Sequence, residues 1–510
     1  MAGNPCRRPH PRVASIAVPP VTHGAHGVRW SSCADELYAV DTADTAETES
    51  GVEMAAPAID LDPAAPVPDR AAATAYVASV CFKHGPPRLV GAELEWLVRS
   101  AYRPDERLDP AVLLRVLGPH APGTLRTSVS TVTGAPPATR APATPDPLPA
   151  GSTVTVEPGG QVEIATPPLT STSELVRAVR TDTAAIRSRL ATEGLVLVGR
   201  AADPLRPPRR ILRVPRYAAM EAAFDRVGPH GRTMMCSTSA VQVSLDAGDG
   251  ADVARRWRAL HEMGPTLVAT FANSPAVHGR RTGWKSSRMA SWLALDPDRT
   301  RPPQVLSDDD PGAEYSERAL ATPLLCVRRH GHWTAPPAVT FGDWLDGRGG
   351  LEDPPTWDDL AYHLTTLFPP VRPQGHVEVR YIDQQAGDEW VVPIAVLTAL
   401  LSDPDVLDRA REVVAPATDR WAAAARHGLA DGVLRRAAGR LVELAHQRLL
   451  TTDPDLAGLV GDIAERRVLR GLCPADVSVG EPGENELGPA GESPYPDLTL
   501  ESFATGGDPA

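Results

Sequence analysis

Four short segments of the sequence carry acidic or polar side chains at alternate positions. They are RLVGAELEWLV (residues 88–98), TVEPGGQVEIATPP (155–168), TSAVQVSLD (238–246) and GHVEVRYID (375–383). Because successive side chains of a β-strand point to opposite faces, each segment predicts a strand with one apolar and one polar face. If the four strands share one antiparallel sheet, its polar face carries Glu93, Glu95, Glu163, Gln242, Glu378 and Arg380.

Such a face needs a counter-charge. Two carboxylates about 4 Å apart repel each other by roughly 4 kcal/mol at an effective dielectric constant near 20. One arginine cannot neutralise four glutamates, whereas divalent cations can. Oxygen ligands with few histidines favour Mg²⁺, or Mn²⁺, over zinc. The alternative is four unrelated amphipathic strands whose outer faces are solvated.

Common catalytic motifs are missing from the sequence. It contains no Gly-Lys dipeptide and therefore no P-loop, no HExxH zinc motif and no GxSxG nucleophile motif. A nucleotide would therefore have to be held by metal ions and arginines on the sheet.

Composition narrows the class of protein. The 510 residues carry a net charge of −13, which gives no support to a nucleic-acid or anionic-membrane partner. No apolar run approaches the roughly 20 residues that span a bilayer. The six cysteines lie far apart, without metal-site spacing, which predicts reduced thiols and a cytoplasmic protein.

The chain divides into three parts. The composition of residues 1–70 predicts a disordered leader with a short helix around residues 42–54. The composition of residues 476–510 predicts a disordered acidic tail. Residues 71–475 predict one domain, in which the Pro-rich stretch 134–152 is a loop rather than a linker. Helices are expected at 173–192, 250–273 and 357–368, with three more between 404 and 469. Irregular alternation of helices and strands indicates an α+β fold rather than a doubly wound sheet.

These segments resemble, in chain order, the motifs of the plant-type and bacterial glutamate-cysteine ligases. The resemblance covers roughly residues 80–470 and is carried by VGAELEW, EPGGQVEIATPP, STSAVQVSLD, LVATFANSPAVHGRRTGWKSSRMASW and HLTTLFPPVRPQGHVEVRYID. It implies a glutamine synthetase-like fold, an antiparallel sheet curved into a half-barrel and backed by helices. It also implies ATP- and Mg²⁺-dependent joining of the γ-carboxylate of L-glutamate to the amine of L-cysteine, through a γ-glutamyl phosphate. RTMMCSTSAVQVSLDAGD and GWKSSRMASWLALDPDRT are most similar to the actinobacterial branch that makes γ-glutamylcysteine for ergothioneine.

The same resemblance implies roles for single residues. Arg380 would hold the transferring phosphoryl group, and Arg288 would pair with the α-carboxylate of glutamate. Gln242 and Glu157 would lie at the edge of the metal or nucleotide, with the Pro-Gly-Gly break letting Glu157 and the backbone approach the nucleotide. The implied metal ligands are Glu93, Glu95, Glu163 and Glu378.

Other functions remain open at this point. A ligase of the same fold could use another amine, and a descendant of the family could bind without catalysis; a metal-dependent hydrolase is a more distant alternative. The sequence does not identify the base for the cysteine amine. Trp284, Met234 and Met235 are candidates for a thiol pocket, with plain core packing as the alternative. The expected assembly is a monomer or a homodimer.

Overall fold

We describe a computed structural model of the chain, which covers residues 61–133, 144–303, 306, 310–328, 333–477, 487 and 493–496. Within these ranges the chain forms 17 α-helices and nine β-strands. The predicted short helix around residues 42–54 lies outside the described residues.

The strands are short except for the first. They are β1 (Val90–Ser100), β2 (Thr153–Val156), β3 (Val162–Ala165), β4 (Leu195–Val198), β5 (Ala240–Leu245), β6 (Ala276–Val277), β7 (Arg280–Arg281), β8 (Val371–Pro373) and β9 (Val377–Asp383).

The helices fill the intervals between the strands. They are α1 (Arg70–Cys81), α2 (Pro110–Leu117), α3 (Gly123–Thr133), α4 (Thr172–Ala191), α5 (Pro215–Asp225), α6 (His230–Ser237), α7 (Asp252–Phe271), α8 (Ser287–Leu293), α9 (Pro297–Thr300), α10 (Pro311–Ala321), α11 (Phe341–Leu345), α12 (Trp357–Leu364), α13 (Val391–Leu400), α14 (Pro404–Val414), α15 (Trp421–His427), α16 (Gly432–Thr452) and α17 (Pro454–Arg466).

One antiparallel sheet contains all four predicted strands. Its order is β2-β3-β1-β5-β9-β8, and β4 pairs with the far end of β1. The outer strands β2 and β8 do not pair with each other, so the sheet is open. The predicted α+β class with an antiparallel sheet is therefore confirmed. β1 precedes the Pro-rich stretch and β3 follows it, and the two strands pair directly.

The apolar face of the sheet packs on helices. Leu94, Ile164, Val243 and Val379 are fully buried there, against α4, α7 and α13. The Tyr381 hydroxyl on the same face donates to the carbonyl of Leu260 in α7 at 2.9 Å. This packing leaves only the opposite face of the sheet for chemistry.

The predicted helices are present with small changes of boundary. The helices α4, α7 and α12 match the first three predictions within a few residues. The prediction of three helices between 404 and 469 is wrong, because α14, α15, α16 and α17 all lie there. Among these four, α15 is a two-turn helix whose run of four alanines carries no clear apolar periodicity.

Parts of both predicted tails are packed on the domain. Val67 is 4% exposed, and its N–H donates to the carbonyl of Pro355 at 2.9 Å. Near the other terminus, Tyr495 is 7% exposed. Residues 61–70 and 493–496 are thus ordered parts of the fold, while residues 1–60 of the predicted leader lie outside the described residues.

The Pro-Gly-Gly break forms the turn between β2 and β3. Gly160 has φ of +94°, a left-handed conformation that favours glycine. A Cβ on Gly159 would lie 2.1 Å from the carbonyl oxygen of Cys236 at the end of α6. Gln161 donates to the carbonyls of Met235 and Thr238 at 3.2 and 2.9 Å. The first glycine therefore lets the turn pack on the backbone of α6, a purpose that the sequence did not reveal.

Among the described residues, no helix combines the length and apolar character needed to cross a membrane.

Replacing Gly159 by alanine should destabilise the protein. The new Cβ would meet backbone atoms of Cys236, which cannot rotate away, and overpacking of this kind costs about 1–3 kcal/mol or more. Urea unfolding of Gly159→Ala measures the loss. Gly458→Ala is the matched control, because no atom lies within 4 Å of the added Cβ in α17 and alanine stabilises a helix interior by about 0.5–1 kcal/mol. Equal stability of the two variants would contradict the packing role.

Candidate active site

Strand register lines up the polar side chains across the sheet. Glu95 of β1 lies opposite Glu163 of β3, and Glu93 lies opposite Gln242 of β5. Further along, Ser244 of β5 lies opposite Glu378 of β9. Because residues that face each other across antiparallel strands project to the same side, these side chains share one face. The acidic face predicted from alternation is therefore present, and we call it the acidic face below.

Three polar side chains join β1, β3 and β5 on the acidic face. The Gln242 Nε2 donates to Glu95 Oε1 at 2.7 Å and lies 3.5 Å from Glu163 Oε2. The Thr155 hydroxyl of β2 donates to the other oxygen of Glu163 at 2.5 Å. The Gln242 Oε1 is buried and has no hydrogen-bond partner among the described residues. One amide thus bridges two carboxylates and leaves its own oxygen for a ligand.

Glu378 has a different environment, because two arginines bind it. Arg372 of β8 lies opposite Glu378 in the register and donates to both of its oxygens, at 2.7 and 3.2 Å. Arg380 donates to Glu378 Oε2 at 2.8 Å, and its guanidinium lies 5.7 Å from the centre of the Trp292 ring. The Arg380 Nε is buried, and no hydrogen-bond partner for it lies in the part of the chain that the structure describes. Arg380 therefore keeps a donor for another anion.

The pKa values of the glutamates follow these environments. Burial, together with Glu163 and Glu378, raises the pKa of Glu93 well above its usual value. Burial, Glu157 and Glu95 raise the pKa of Glu163 in the same way. Burial also raises the pKa of Glu95, against the opposing charges of Arg288 and Arg380. Within the described part of the chain, none of these three carboxylates accepts a hydrogen bond from an arginine or lysine side chain.

Glu378 shows the opposite shift. Burial alone would raise its pKa, but the charges of Arg372 and Arg380 outweigh burial and lower it. Of the four predicted metal ligands, Glu378 is therefore the one that two cations already neutralise.

Arg288 reaches the acidic face from α8. The helix begins after Ser286, whose hydroxyl accepts from the N–H of Met289 at 3.1 Å. Arg288 is 2% exposed, donates to the carbonyl of Arg380 at 2.6 Å and lies 5.0 Å from the centre of the Trp292 ring. Its Nε is buried and meets no hydrogen-bond partner within the described ranges. Its position beside Arg380 places a second cation, this one buried, at the end of the face.

Asp383, the last residue of β9, anchors the segment that carries Arg288. Its oxygens accept from the hydroxyls of Ser274 and Ser286, both at 2.9 Å, and from the N–H of Asn273 at 2.8 Å. The Arg288 Nη1 lies 3.7 Å from Asp383 Oδ1. This carboxylate therefore fixes the start of α8 relative to the sheet.

Glu157 lies in the turn after β2, two residues beyond Thr155. Thr155 lies opposite Glu163, so Glu157 continues the same side of the strand. It is partly exposed and contributes to the raised pKa of Glu163. The structure thus brings all eight predicted site residues to one region around β1, β3, β5, β9 and α8.

Three contributors escaped the sequence analysis. Arg372 stands in the quoted LFPPVR motif, but only the β8–β9 pairing places it opposite Glu378. Thr155 could have been found as the cross-strand partner of Glu163. Asp383 lies on the same side of the strand as the apolar side chains Val377, Val379 and Tyr381. A charged residue on the apolar side of a predicted strand was the feature of the sequence that could have identified it.

The donor set suits a hard divalent cation. It offers carboxylate oxygens and the Oε1 of Gln242, which has no partner among the described residues, and burial beside other carboxylates raises the pKa values of Glu93 and Glu163. Within the described ranges, however, no three His, Cys, Asp or Glu side chains converge closely enough to hold a metal ion. A cation would have to draw the glutamates of the acidic face together.

Neutralising one glutamate should make the protein more stable. A raised pKa means that folding takes up a proton between the unfolded value, about 4.3, and the higher folded value. Stability is then lost as the pH rises through this window, and Glu163→Gln should recover it. In urea unfolding with EDTA at pH 8, we expect a gain of about 0.5–2 kcal/mol, which shrinks as the pH falls toward 4.3.

The control for this prediction is Glu193→Gln. The pKa of the exposed Glu193 is lowered by its hydrogen bond to Arg115, so this change should give no gain. A Glu163→Gln variant less stable than the wild type at every pH would show that the carboxylate stabilises the fold instead.

The comparisons with known proteins agree on one protein family. Glutamate-cysteine ligase family 2 (GCS2) matches residues 89–477. The glutamate–cysteine ligase EgtA of Mycobacterium tuberculosis is 40% identical over 433 residues, which cover 83% of this chain and 94% of that protein. A chloroplastic glutamate–cysteine ligase of Brassica juncea is 31% identical over 348 residues, which cover 63% of this chain and 65% of that protein.

A solved structure of glutamate–cysteine ligase from Francisella tularensis, in complex with AMP, aligns with 77% of this chain and 84% of its own. It is 12% identical, and its TM-score of 0.46 is too low to carry an argument. The family match spans most of the chain, including every strand of the acidic face. The protein therefore belongs to glutamate-cysteine ligase family 2.

Proposed function

We propose that the protein is an ATP-dependent glutamate–cysteine ligase, which joins the γ-carboxylate of L-glutamate to the amine of L-cysteine through a γ-glutamyl phosphate. Membership of the family and 40% identity to EgtA support this proposal. The observation that carries it is the acidic face, on which buried glutamates lie beside two arginines with unused donors.

The proposed reaction brings two anions together, the γ-carboxylate of glutamate and the triphosphate of ATP. An oxygen of the γ-carboxylate attacks the γ-phosphorus of ATP; the new P–O bond forms while the bond to the β-phosphate oxygen breaks, and ADP leaves. The cysteine amine then attacks the acyl carbon and loses a proton, and the C–O bond breaks to release phosphate. A site for these steps must offset negative charge at the transferring phosphoryl group.

Two arginines are suited to that task. Arg380 keeps a buried Nε without a partner while Glu378 holds its other side. Arg372 fixes Glu378 from the opposite strand and so sets the orientation of Arg380. We assign Arg380 to the transferring phosphoryl group, because an arginine fork matches phosphate geometry.

Arg288 is assigned to the α-carboxylate of glutamate. It is buried at the end of the acidic face, and its guanidinium is held over the ring of Trp292. Its Nε has no hydrogen-bond partner among the described residues. This position would hold the amino-acid end of glutamate while the γ-carboxylate points toward Arg380.

Divalent cations would be held by Glu93, Glu95, Glu163 and Glu378, with Gln242 and Glu157 at the edge of the metal or nucleotide. When bound, Mg²⁺ (or Mn²⁺) would neutralise phosphate charge and so stabilise the transferring group. The donors present fit such a cation by their chemistry.

The product would be γ-glutamylcysteine, used for ergothioneine and made in the cytoplasm. Similarity to EgtA supports this pathway, and the buried state of Cys81, Cys236, Cys326 and Cys473, none in a disulfide, is compatible with that compartment.

The decisive assay measures ADP release with ATP, Mg²⁺ and glutamate, with and without L-cysteine, together with mass detection of γ-glutamylcysteine. Cysteine-dependent ADP with that product is expected. Glutamate-dependent ADP without it would indicate another amine, and no ATP turnover under varied metals would indicate a protein that binds without catalysis.

In the same assay Arg380→Ala should reduce kcat by about 10²–10³-fold, the usual cost of losing one donor to a transition-state anion. Arg232→Ala is the control, since Arg232 pairs with Asp225 at the surface and its side chain is 49% exposed. An unchanged kcat in Arg380→Ala would contradict the phosphoryl role.

Arg288→Lys tests the glutamate contact. A lysine keeps the charge but loses the fork, so the glutamate KM should rise by about 10-fold or more, with little change in the KM of ATP. Arg256→Lys is the matched control, because Arg256 is also buried and donates to the carbonyls of Asp246 and Leu401. If both variants kept the wild-type glutamate KM, Arg288 would not bind that carboxylate.

A further inference from the structure

The described C-terminal residues Ser493–Pro496 lie directly on the segment that carries Arg288. The Tyr495 hydroxyl donates to the carbonyl of Ser287 at 3.1 Å and accepts from the hydroxyl of Ser291 at 3.2 Å. These two partners stand one residue before Arg288 and three residues after it. One phenol therefore links two turns of α8 around Arg288.

Aromatic contacts hold this tyrosine in place. Its ring stacks on His230 at the start of α6, with 5.3 Å between centroids and 28° between planes. It meets Trp284 edge-on, at 5.5 Å and 71°. The Trp284 Nε1 in turn donates to the Ser493 hydroxyl at 2.9 Å. Tyr495 is 7% exposed as a result.

A second part of the C-terminal region reaches the same segment. Lys285, beside Trp284, pairs with Asp476. The Arg200 guanidinium donates to the carbonyl of Pro474 at 3.2 Å and to that of Val477 at 3.0 Å. Two places that are separate in sequence thus contact residues 284–291: Asp476 pairs with Lys285 near the start of the segment, and Ser493 and Tyr495 contact it from residue 284 to residue 291.

The segment needs such support because it is short. The helix α8 has only seven residues, and isolated helices of that length are unstable in water. Asp383 fixes its first residues from the side of the sheet. Ser493–Pro496 contacts it along the Ser287 and Ser291 side, which is not the side of Arg288 and Trp292.

We propose that Ser493–Pro496 is a positioning element for glutamate binding, which we call the C-terminal clamp, and that Tyr495 is its main positioning residue. The clamp holds α8 so that Arg288 keeps its orientation at the acidic face. The inference rests on the proposed role of Arg288 in the ligase reaction. Trp284, a candidate for a thiol pocket by sequence, is a contact of the clamp.

Tyr495→Phe is the sharpest test, because it keeps both ring contacts and removes only the two hydrogen bonds to α8. Losing them should let Arg288 move, so the glutamate KM should rise by about 3–10-fold. The KM values of ATP and cysteine and the kcat should change by less than twofold. Tyr495→Ala should show a larger rise in the same constant.

Tyr102→Phe is the matched control, because it removes the same hydroxyl from a residue that is 84% exposed. Its kinetic constants should equal those of the wild type. Ser291→Ala removes one partner of Tyr495. In the double variant Ser291→Ala/Tyr495→Phe, the change in the glutamate KM, expressed as a free energy, should therefore be smaller than the sum of the two single changes.

The outcomes separate this inference from the proposed function. If the wild type makes γ-glutamylcysteine and neither Tyr495 variant changes the glutamate KM, the clamp is overturned and the ligase stands. Equal rises in all three KM values would indicate general loosening and overturn it too, as would a lower glutamate KM, which would mean that the segment competes with substrate. No product from the wild type would overturn the proposed function and this inference together.

Discussion

The mutual repulsion of glutamates on one face of the sheet is the constraint around which the structure is arranged. Glu93, Glu95 and Glu163 share a face and have raised pKa values, although Thr155 and Gln242 donate hydrogen bonds to Glu163 and Glu95 and the charges of nearby arginines oppose the rise at Glu95. A protein selected for stability alone would not keep them. Their unfavourable charge is the reason for which we propose a ligand that brings positive charge, and the neighbouring arginines are the reason for which we propose one that brings phosphate as well.

The opposite, apolar face of the sheet holds the strands of the acidic face in a fixed arrangement. The apolar face of the same strands packs on α4, α7 and α13 without exposed side chains. Strand register then fixes which carboxylate lies beside which, so the repulsion cannot be relieved by sliding one strand past another. Glu378 differs because β8 brings Arg372 opposite it. The acidic face therefore has one neutralised end, near Arg288, and one uncompensated end, near Glu163.

Much of this arrangement was predictable from the sequence. Alternation in four segments identified the strands and the side chains of the polar face, because a period of two is a strong signal. The number of helices between residues 404 and 469 was underestimated, and the alanine run of α15 gives no contrast between faces. Arg372 and Asp383 depend on pairings between distant segments, and the role of Gly159 depends on the approach of α6. Tyr495 lies in a Pro-rich acidic stretch that composition describes as disordered, and only contacts with α6 and α8 show otherwise.

The order of the strands has a consequence for synthesis of the chain. β1 lies at the centre of the sheet, yet its neighbour β5 begins at residue 240, and β9 begins at residue 377. Contacts so far apart along the chain form slowly and late, so a nascent chain cannot assemble the sheet until most of it has left the ribosome. Glu378, however, emerges within a few residues of both arginines that neutralise it, in a β8–β9 hairpin that can form locally. The last strand to arrive thus brings its own counter-charges to a face that already carries three glutamates.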